Sequence, residues 1–264
     1  MYVWCWVFAR CHRERAAHQA TVRALVQAVE LKDEYTRGHS ERVGLASVMI
    51  GQEIGMAPER IDALRFAGIL HDVGKIGVPT RLLRKAGPLT PQERRLIELH
   101  PEYGHEMVRG IAFLSEARAA ILHHHERMDG SGYPYGLKGS QIPEFARVVA
   151  VADAFDAMTS NRCYRPARSV TAAMEELKRC AGKQFDSVMV QALIRAVLSR
   201  GWVTAPAAAP APLPSPGAAV PPEAVPVPRA AVPAAEPVSE SADGPAPVHG
   251  PGAAAVPAVR QGRR

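Results

Sequence analysis

After Trp202 the chain stops offering what a folded core requires. From Val203 to Arg264 it carries 15 of its 23 prolines, no aromatic residue, and no apolar spacing of period two or 3.6. Burial in such a stretch cannot offset the entropy of ordering it. Residues 203–264 therefore read as a disordered, partly extended Pro/Ala-rich tail, and folding is confined to the residues before it. The tail's charges cancel, four Arg against three Glu and one Asp, so the net charge of +6 belongs to the folded part and is available to an anionic ligand.

Within the folded part the apolar residues recur at helical spacing. Ala20, Leu25, Val26, Val29 and Leu31 mark one face of a helix over about 13–32, with a second subunit as a candidate partner for it. A second helix is predicted from Ser40, as its cap, to Gly55. A third follows Pro58 and carries Ile61, Leu64, Ile69 and Leu70 toward His71. Thr90-Pro91-Gln92-Glu93 spells a capping box, so a helix should start there and reach His100, where Pro101 interrupts it. Further helices are predicted over 115–125, 143–159, 169–179 and 186–199. Val148-Val149-Ala150-Val151 is short enough for a strand but sits among Ala, Asp and Met at helical spacing, so the fold class is an all-α bundle.

The four cysteines, Cys5, Cys11, Cys163 and Cys180, show no close pairing of the kind a metal site uses, which suggests free thiols and a cytoplasmic location. Met1 to Ala9 is apolar, with Trp4, Trp6 and Phe8, yet far short of the ~20 residues a membrane span requires. Basic residues follow this run instead of preceding it, the wrong order for a secretion signal. A packed or frayed helical turn is the simplest reading, and weak membrane association through residues 1–9 is the alternative.

Imidazoles and carboxylates supply the chemistry. The candidates for convergence are His39, His71, Asp72, His100, His124, His125 and Asp153, on different predicted helices. Neutral imidazole with carboxylate suits borderline first-row metals such as iron, manganese or zinc. Successive helical residues diverge by about 100°, so His71-Asp72 and His124-His125 can each serve one site only near a helix end. Gly74 and the Asp129-Gly130-Ser131-Gly132 turn provide those ends. His12, His18, His105 and His249 read as ordinary surface or core histidines, and of His123 to His125 the later two are preferred.

Taken in order, the motifs Asp33-Glu34-Tyr35-Thr36-Arg37-Gly38-His39-Ser40, His71-Asp72-Val73-Gly74-Lys75, His100-Pro101-Glu102-Tyr103-Gly104, Gly132-Tyr133-Pro134 and Asp153-Ala154-Phe155-Asp156-Ala157-Met158-Thr159 carry a family resemblance. The chain resembles the HD-GYP subgroup of the HD superfamily of phosphohydrolases from Thr21 to about Leu198, giving a domain over 21–202 behind a short apolar and basic segment, 1–20. The resemblance implies a helical domain with a bimetallic centre that hydrolyses cyclic di-GMP to pGpG and GMP. It puts the metal ligands on His39, His71, Asp72, His100, His124, His125 and Asp153, with Asp72 bridging. Members with three metals have a glutamate four residues before the first histidine. Tyr35 stands there in this chain, so two divalent ions are expected, iron or manganese with zinc as a third option.

Lys75 then reads as a phosphate contact or leaving-group acid, and Arg162 and Arg165 resemble the family's basic pair for substrate phosphate, each against the plainer reading of a solvated or salt-bridged side chain. Gly132-Tyr133-Pro134 reads as a turn shaping the pocket rim, with a docking surface for diguanylate cyclase domains as the functional alternative. The competing function is a module that senses cyclic di-GMP or engages a partner without turnover. A hydrolase for another cyclic dinucleotide or nucleotide is the third.

Overall fold

The computed structural model describes residues 2–33, 38–161 and 166–202. The tail over 203–264, Glu34, Tyr35, Arg162 and Arg165 lie outside the described residues, and the expectations attached to them with it. Among the described residues ten α-helices follow one another: α1 (Tyr2–Lys32), α2 (His39–Glu53), α3 (Pro58–Leu70), α4 (Thr80–Leu83), α5 (Pro91–Ile97), α6 (His100–Val108), α7 (Ser115–His123), α8 (Glu144–Thr159), α9 (Val170–Cys180) and α10 (Ser187–Arg200). Short 3-10 turns join some of them, and no strand occurs among the described residues. Val148 to Val151 lies inside α8, as helical spacing required.

The core is the shared interior of α2, α3, α7, α8 and α10, in which α2 packs on α3, α8 and α10 while α7 packs on α3, α6 and α8. Leu64, Leu70, Ile121, Phe155 and Leu193 are wholly buried there. Each such side chain contributes about 1.5–3 kcal/mol relative to exposure. Buried Val22, Val26 and Val29, at helical spacing, fasten the C-terminal half of α1 to α3 and to the 3-10 turn Val73–Gly77.

Three local expectations are corrected. The first helix begins at Tyr2 instead of near residue 13, and its inward face runs through Val22, Val26 and Val29 while Leu31 is 81% exposed. Packing against α3 chose that face, which periodicity alone left undecided by one step around the helix. Ser40 is not the cap of α2: Gly38, in a left-handed conformation, precedes a helix that already starts at His39. Pro101 does not interrupt a helix but occupies the first turn of a new one, α6, where its missing N–H costs nothing. The capping box at Thr90 forms as predicted, with Glu93 N donating to Thr90 Oγ1 at 3.2 Å and Thr90 N donating to Glu93 Oε2 at 2.8 Å.

Candidate metal centre

Helix ends converge on one point. α2 starts at His39, α3 ends just before His71 and Asp72, α6 starts at His100, and α7 ends just before His124 and His125. Only Asp153 comes from within a helix, α8. Adjacent ligand candidates can share a site because each pair straddles a helix end, where the 100° step of a regular helix no longer applies. Gly74 makes the closest of these approaches possible: a Cβ on it would lie 1.8 Å from the carbonyl oxygen of His100.

The seven side chains form two groups, each with one donor atom per residue lying within 4.8 Å of the others. Asp72, His100, His124 and His125 make one, and His39, His71 and Asp153 the other. Asp72 spans them. Its Oδ1 is 3.3 Å from His100 Nε2 and its Oδ2 is 3.2 Å from His71 Nε2. His39 Nε2 is 3.3 Å from Asp153 Oδ1.

The donor set fits a cation for a reason visible in the hydrogen bonds. Nδ1 of His71, His100 and His124 lies 2.7, 2.8 and 2.9 Å from the carbonyl oxygens of Gly68, Ile97 and Ile121. A carbonyl only accepts, so Nδ1 carries the proton in each ring and Nε2 carries a lone pair. Two of those lone-pair nitrogens, on His100 and His124, then stand 3.4 Å apart, and His71 Nε2 is buried with no hydrogen-bond partner. Such an arrangement is repulsive without an electrophile between the rings, and it is the arrangement in which outer partners orient imidazoles toward a metal.

Burial holds His100 and His124 below the usual imidazole range and pushes His125 down to about 4, so these rings are neutral and able to donate. His39 behaves oppositely: burial disfavours its charge, but hydrogen bonds and proximity to Asp153 and Asp156 outweigh it and raise the ring to about 9. Asp72 and Asp153 are kept ionised against burial, Asp72 chiefly by the Lys75 ammonium and Asp153 chiefly by the hydrogen bond from the charged His39 ring.

Lys75 is a partner of Asp72, with Nζ 2.8 Å from Oδ2, and it also lies 3.5 Å from Asp33 Oδ2. Its ammonium is favoured despite burial by Asp72, Asp33 and Asp153. α1 reaches this corner directly: Lys32 donates to the carbonyl oxygen of Ile76, and Glu30 Oε1 accepts from Gly38 N at 2.9 Å beside His39. Of the histidines set aside on sequence grounds, His18 stacks on Phe113 and His105 lies beside Glu106, both away from the cluster. His123 is not in either group and neighbours Glu126 and Tyr135.

Sequence reasoning missed the residues behind the ligands. Asp156 Oδ2 lies 2.7 Å from His39 Nδ1, and Arg42 donates to both oxygens of Asp156 at 2.5 and 3.1 Å. The signal was present, because Asp156 follows Asp153 at the i,i+3 interval that puts both on one side of α8. Glu126 was also missed. Its buried carboxylate accepts from Tyr135 N at 2.8 Å and Leu137 N at 3.0 Å, pinning the loop that contains Gly132-Tyr133-Pro134. In that loop a Cβ on Gly132 would come within 2.5 Å of His125 O and Arg127 N, so the glycine is required by backbone packing. Tyr133 stacks on His125 with ring centroids 4.7 Å apart.

A cleft of about 330 Å³ opens beside the cluster, lined among others by His124, His125, Tyr133, Asp153, Arg94 and Glu98. The described residues thus hold a His/Asp cluster able to bind metal, three members of which, His124, His125 and Asp153, line an open cleft. No helix among them is long and apolar enough to cross a membrane.

Residues 23–189 match the family described as HD domain. The chain is 40% identical over 177 residues to the "Cyclic di-GMP phosphodiesterase response regulator RpfG" of Xanthomonas campestris pv. campestris, covering 66% of this chain and 47% of that protein. It is 42% identical over 168 residues to the "Cyclic di-GMP phosphodiesterase" of Thermotoga maritima, covering 63% and 46%. Among solved structures it shares its fold with a cyclic GMP-AMP specific phosphodiesterase of Vibrio cholerae, at a TM-score of 0.52 and 19% identity over 68% of this chain and 48% of the other. The chain spans just under half the length of these curated relatives. Matched over 23–189 and carrying both the His71-Asp72 pair and the Gly132-Tyr133-Pro134 element, the chain belongs to the HD-domain family, in its HD-GYP branch.

Proposed function

We propose that this chain is a metal-dependent phosphodiesterase that hydrolyses cyclic di-GMP to pGpG and onward to GMP. The observation that carries the reading is the pair of donor groups joined by Asp72, with the Lys75 ammonium against the same carboxylate and with His124, His125 and Asp153 lining an open cleft. The substrates named for the relatives from Xanthomonas campestris and Thermotoga maritima support the choice of cyclic di-GMP.

In this reading His39, His71 and Asp153 would hold one divalent ion, His100, His124 and His125 would hold the other, and Asp72 would serve both. The donor set favours iron or manganese, with zinc as a further option. A bound metal pair supplies an acidified water and neutralises charge on the phosphoryl group. The chain's own groups do the rest. Lys75, kept charged by Asp72, contacts a phosphate oxygen or delivers a proton to the leaving oxygen, and Asp156 holds the His39 ring in place. Arg162 and Arg165 remain assigned to substrate phosphate. A cytoplasmic location, pairing of two copies through α1 and docking of diguanylate cyclase domains at Gly132-Tyr133-Pro134 belong to the same proposal.

The test is direct. Protein loaded anaerobically with iron or with manganese is incubated with cyclic di-GMP, and products are separated by chromatography. The expected result is pGpG followed by GMP, abolished by Asp72→Ala. Binding of cyclic di-GMP without product would make the chain a sensing module, and product from both proteins would place the active site elsewhere.

A further inference from the structure

The cleft beside the metal centre carries two charged side chains that hydrolysis does not use. Arg94 on α5 and Glu98 at its C-terminal cap are four residues apart and line the cleft together with His125, Tyr133 and Asp153. Opposite charges at that interval on a helix commonly pair. These do not: neither side chain makes a hydrogen bond or ion pair among the described residues, whereas neighbouring Glu93 is paired with Lys85. Their position is nevertheless fixed. The Thr90–Glu93 capping box locks the first turn of α5, and the Ile97 carbonyl at its end accepts from Nδ1 of the ligand candidate His100. Two unpaired charges are thus held on an element registered to the metal centre.

A carboxylate lining a cleft that admits a dianion is unfavourable unless the ligand brings hydrogen-bond donors to it. Guanine does so, with N1–H and N2–H₂ side by side on one edge. Adenine instead presents the bare N1 lone pair. On its neighbouring edge guanine offers O6 and N7, the pair of acceptors that suits a guanidinium fork. Side chains at i and i+4 have Cβ atoms about 5–6 Å apart, a span that suits adjoining edges of one purine. We infer that Arg94 and Glu98 form a guanine-reading pair, Glu98 accepting from N1–H and N2–H₂ and Arg94 donating to O6 and N7, and that they set a preference for guanine over adenine in a cyclic dinucleotide.

This inference rests on the cyclic-dinucleotide reading above and adds the residues that choose the base. The experiment uses the full chain loaded with manganese. It compares kcat/KM for cyclic di-GMP and cyclic di-AMP in wild type, Glu98→Gln, Glu98→Ala and Arg94→Ala, with bis(p-nitrophenyl) phosphate as a base-free diester. The readout is the ratio for the two dinucleotides, from which any general loss of metal or fold cancels.

Wild type is expected to favour cyclic di-GMP. Glu98→Ala and Arg94→Ala each lower that ratio about tenfold, the value of one bidentate base contact. Glu98→Gln, whose amide donates to adenine N1 and accepts from N6–H₂, moves the ratio toward cyclic di-AMP by more than Glu98→Ala does. A purely electrostatic role shifts both substrates alike. A ratio within twofold of wild type in all three variants overturns the inference. If wild type cleaves the base-free diester but neither binds nor cleaves a dinucleotide, the substrate reading and this inference fail together. If it turns over nothing, the activity reading fails alone, and the same ratio is taken from calorimetric dissociation constants.

Discussion

Asp156 Oδ2 lies 2.7 Å from Nδ1 of His39, and the same carboxylate is gripped on both oxygens by Arg42. The ring is thereby turned so that Nε2 meets Asp153. Partners of this kind typically carry 10–100-fold in metal affinity. Asp156→Asn keeps the shape but removes the charge, and is expected to lower metal affinity by about that factor. Competition titration with a chromophoric chelator measures it, and an affinity equal to wild type would leave Asp156 with a merely structural part.

His39 also predicts how metal uptake depends on pH. Its pKa, raised to about 9, means that the metal-free ring is protonated at pH 7, and a metal on Nε2 must displace that proton. Affinity is therefore expected to rise about tenfold per pH unit up to about 9 and then level off, because the bound proton competes only below the raised value. Calorimetry in buffers of different ionisation enthalpy should show about one proton released per centre at neutral pH. A pH-independent affinity between 7 and 9 contradicts this.

Gly74 lets the His71-Asp72 turn pass beneath the start of α6. Gly74→Ala puts a methyl 1.8 Å from the His100 carbonyl oxygen, a backbone atom that no rotamer change relieves. The expected cost is about 1–3 kcal/mol or more, read from the denaturant midpoint. Metal content should fall with it, since α6 carries His100.

Glu126 ties the Tyr133 loop to the end of α7. Removing its carboxylate in Glu126→Ala leaves Tyr135 N and Leu137 N without their partner, and because these bonds are only partly buried the expected cost is about 0.5–1.5 kcal/mol for each. Hydrogen exchange at those two amides should accelerate well beyond that of α8, and the loop's hold on Tyr133 over His125 should loosen. Unchanged protection would show that the loop is held by other contacts.

What could be read without the fold is local. The Thr90 capping box, the helices from Pro58 and Pro143, and the absence of a strand at Val148 follow from hydrogen bonds and periodicities within a few residues of each other. The order of the His and Asp motifs was legible in the same way, since ligand types at helix ends announce themselves in short words. Errors arose where a neighbour decided. Leu31 and Val22 are both branched apolar residues of α1, but Val22 is buried in the core and Leu31 is exposed.

Sequence by itself determined which residue types could bind a cation and that the paired ones sit near helix ends. Only the tertiary structure decided that they divide into two groups with Asp72 between, that Asp156 and Arg42 stand behind His39, and that Arg94 and Glu98 line the cleft without a partner. The physical reason is range. Capping and periodicity act over one or two turns of chain, whereas His39 and Asp156, 117 residues apart, are brought to hydrogen-bonding distance only by burial of the apolar faces of α2 and α8 against one another.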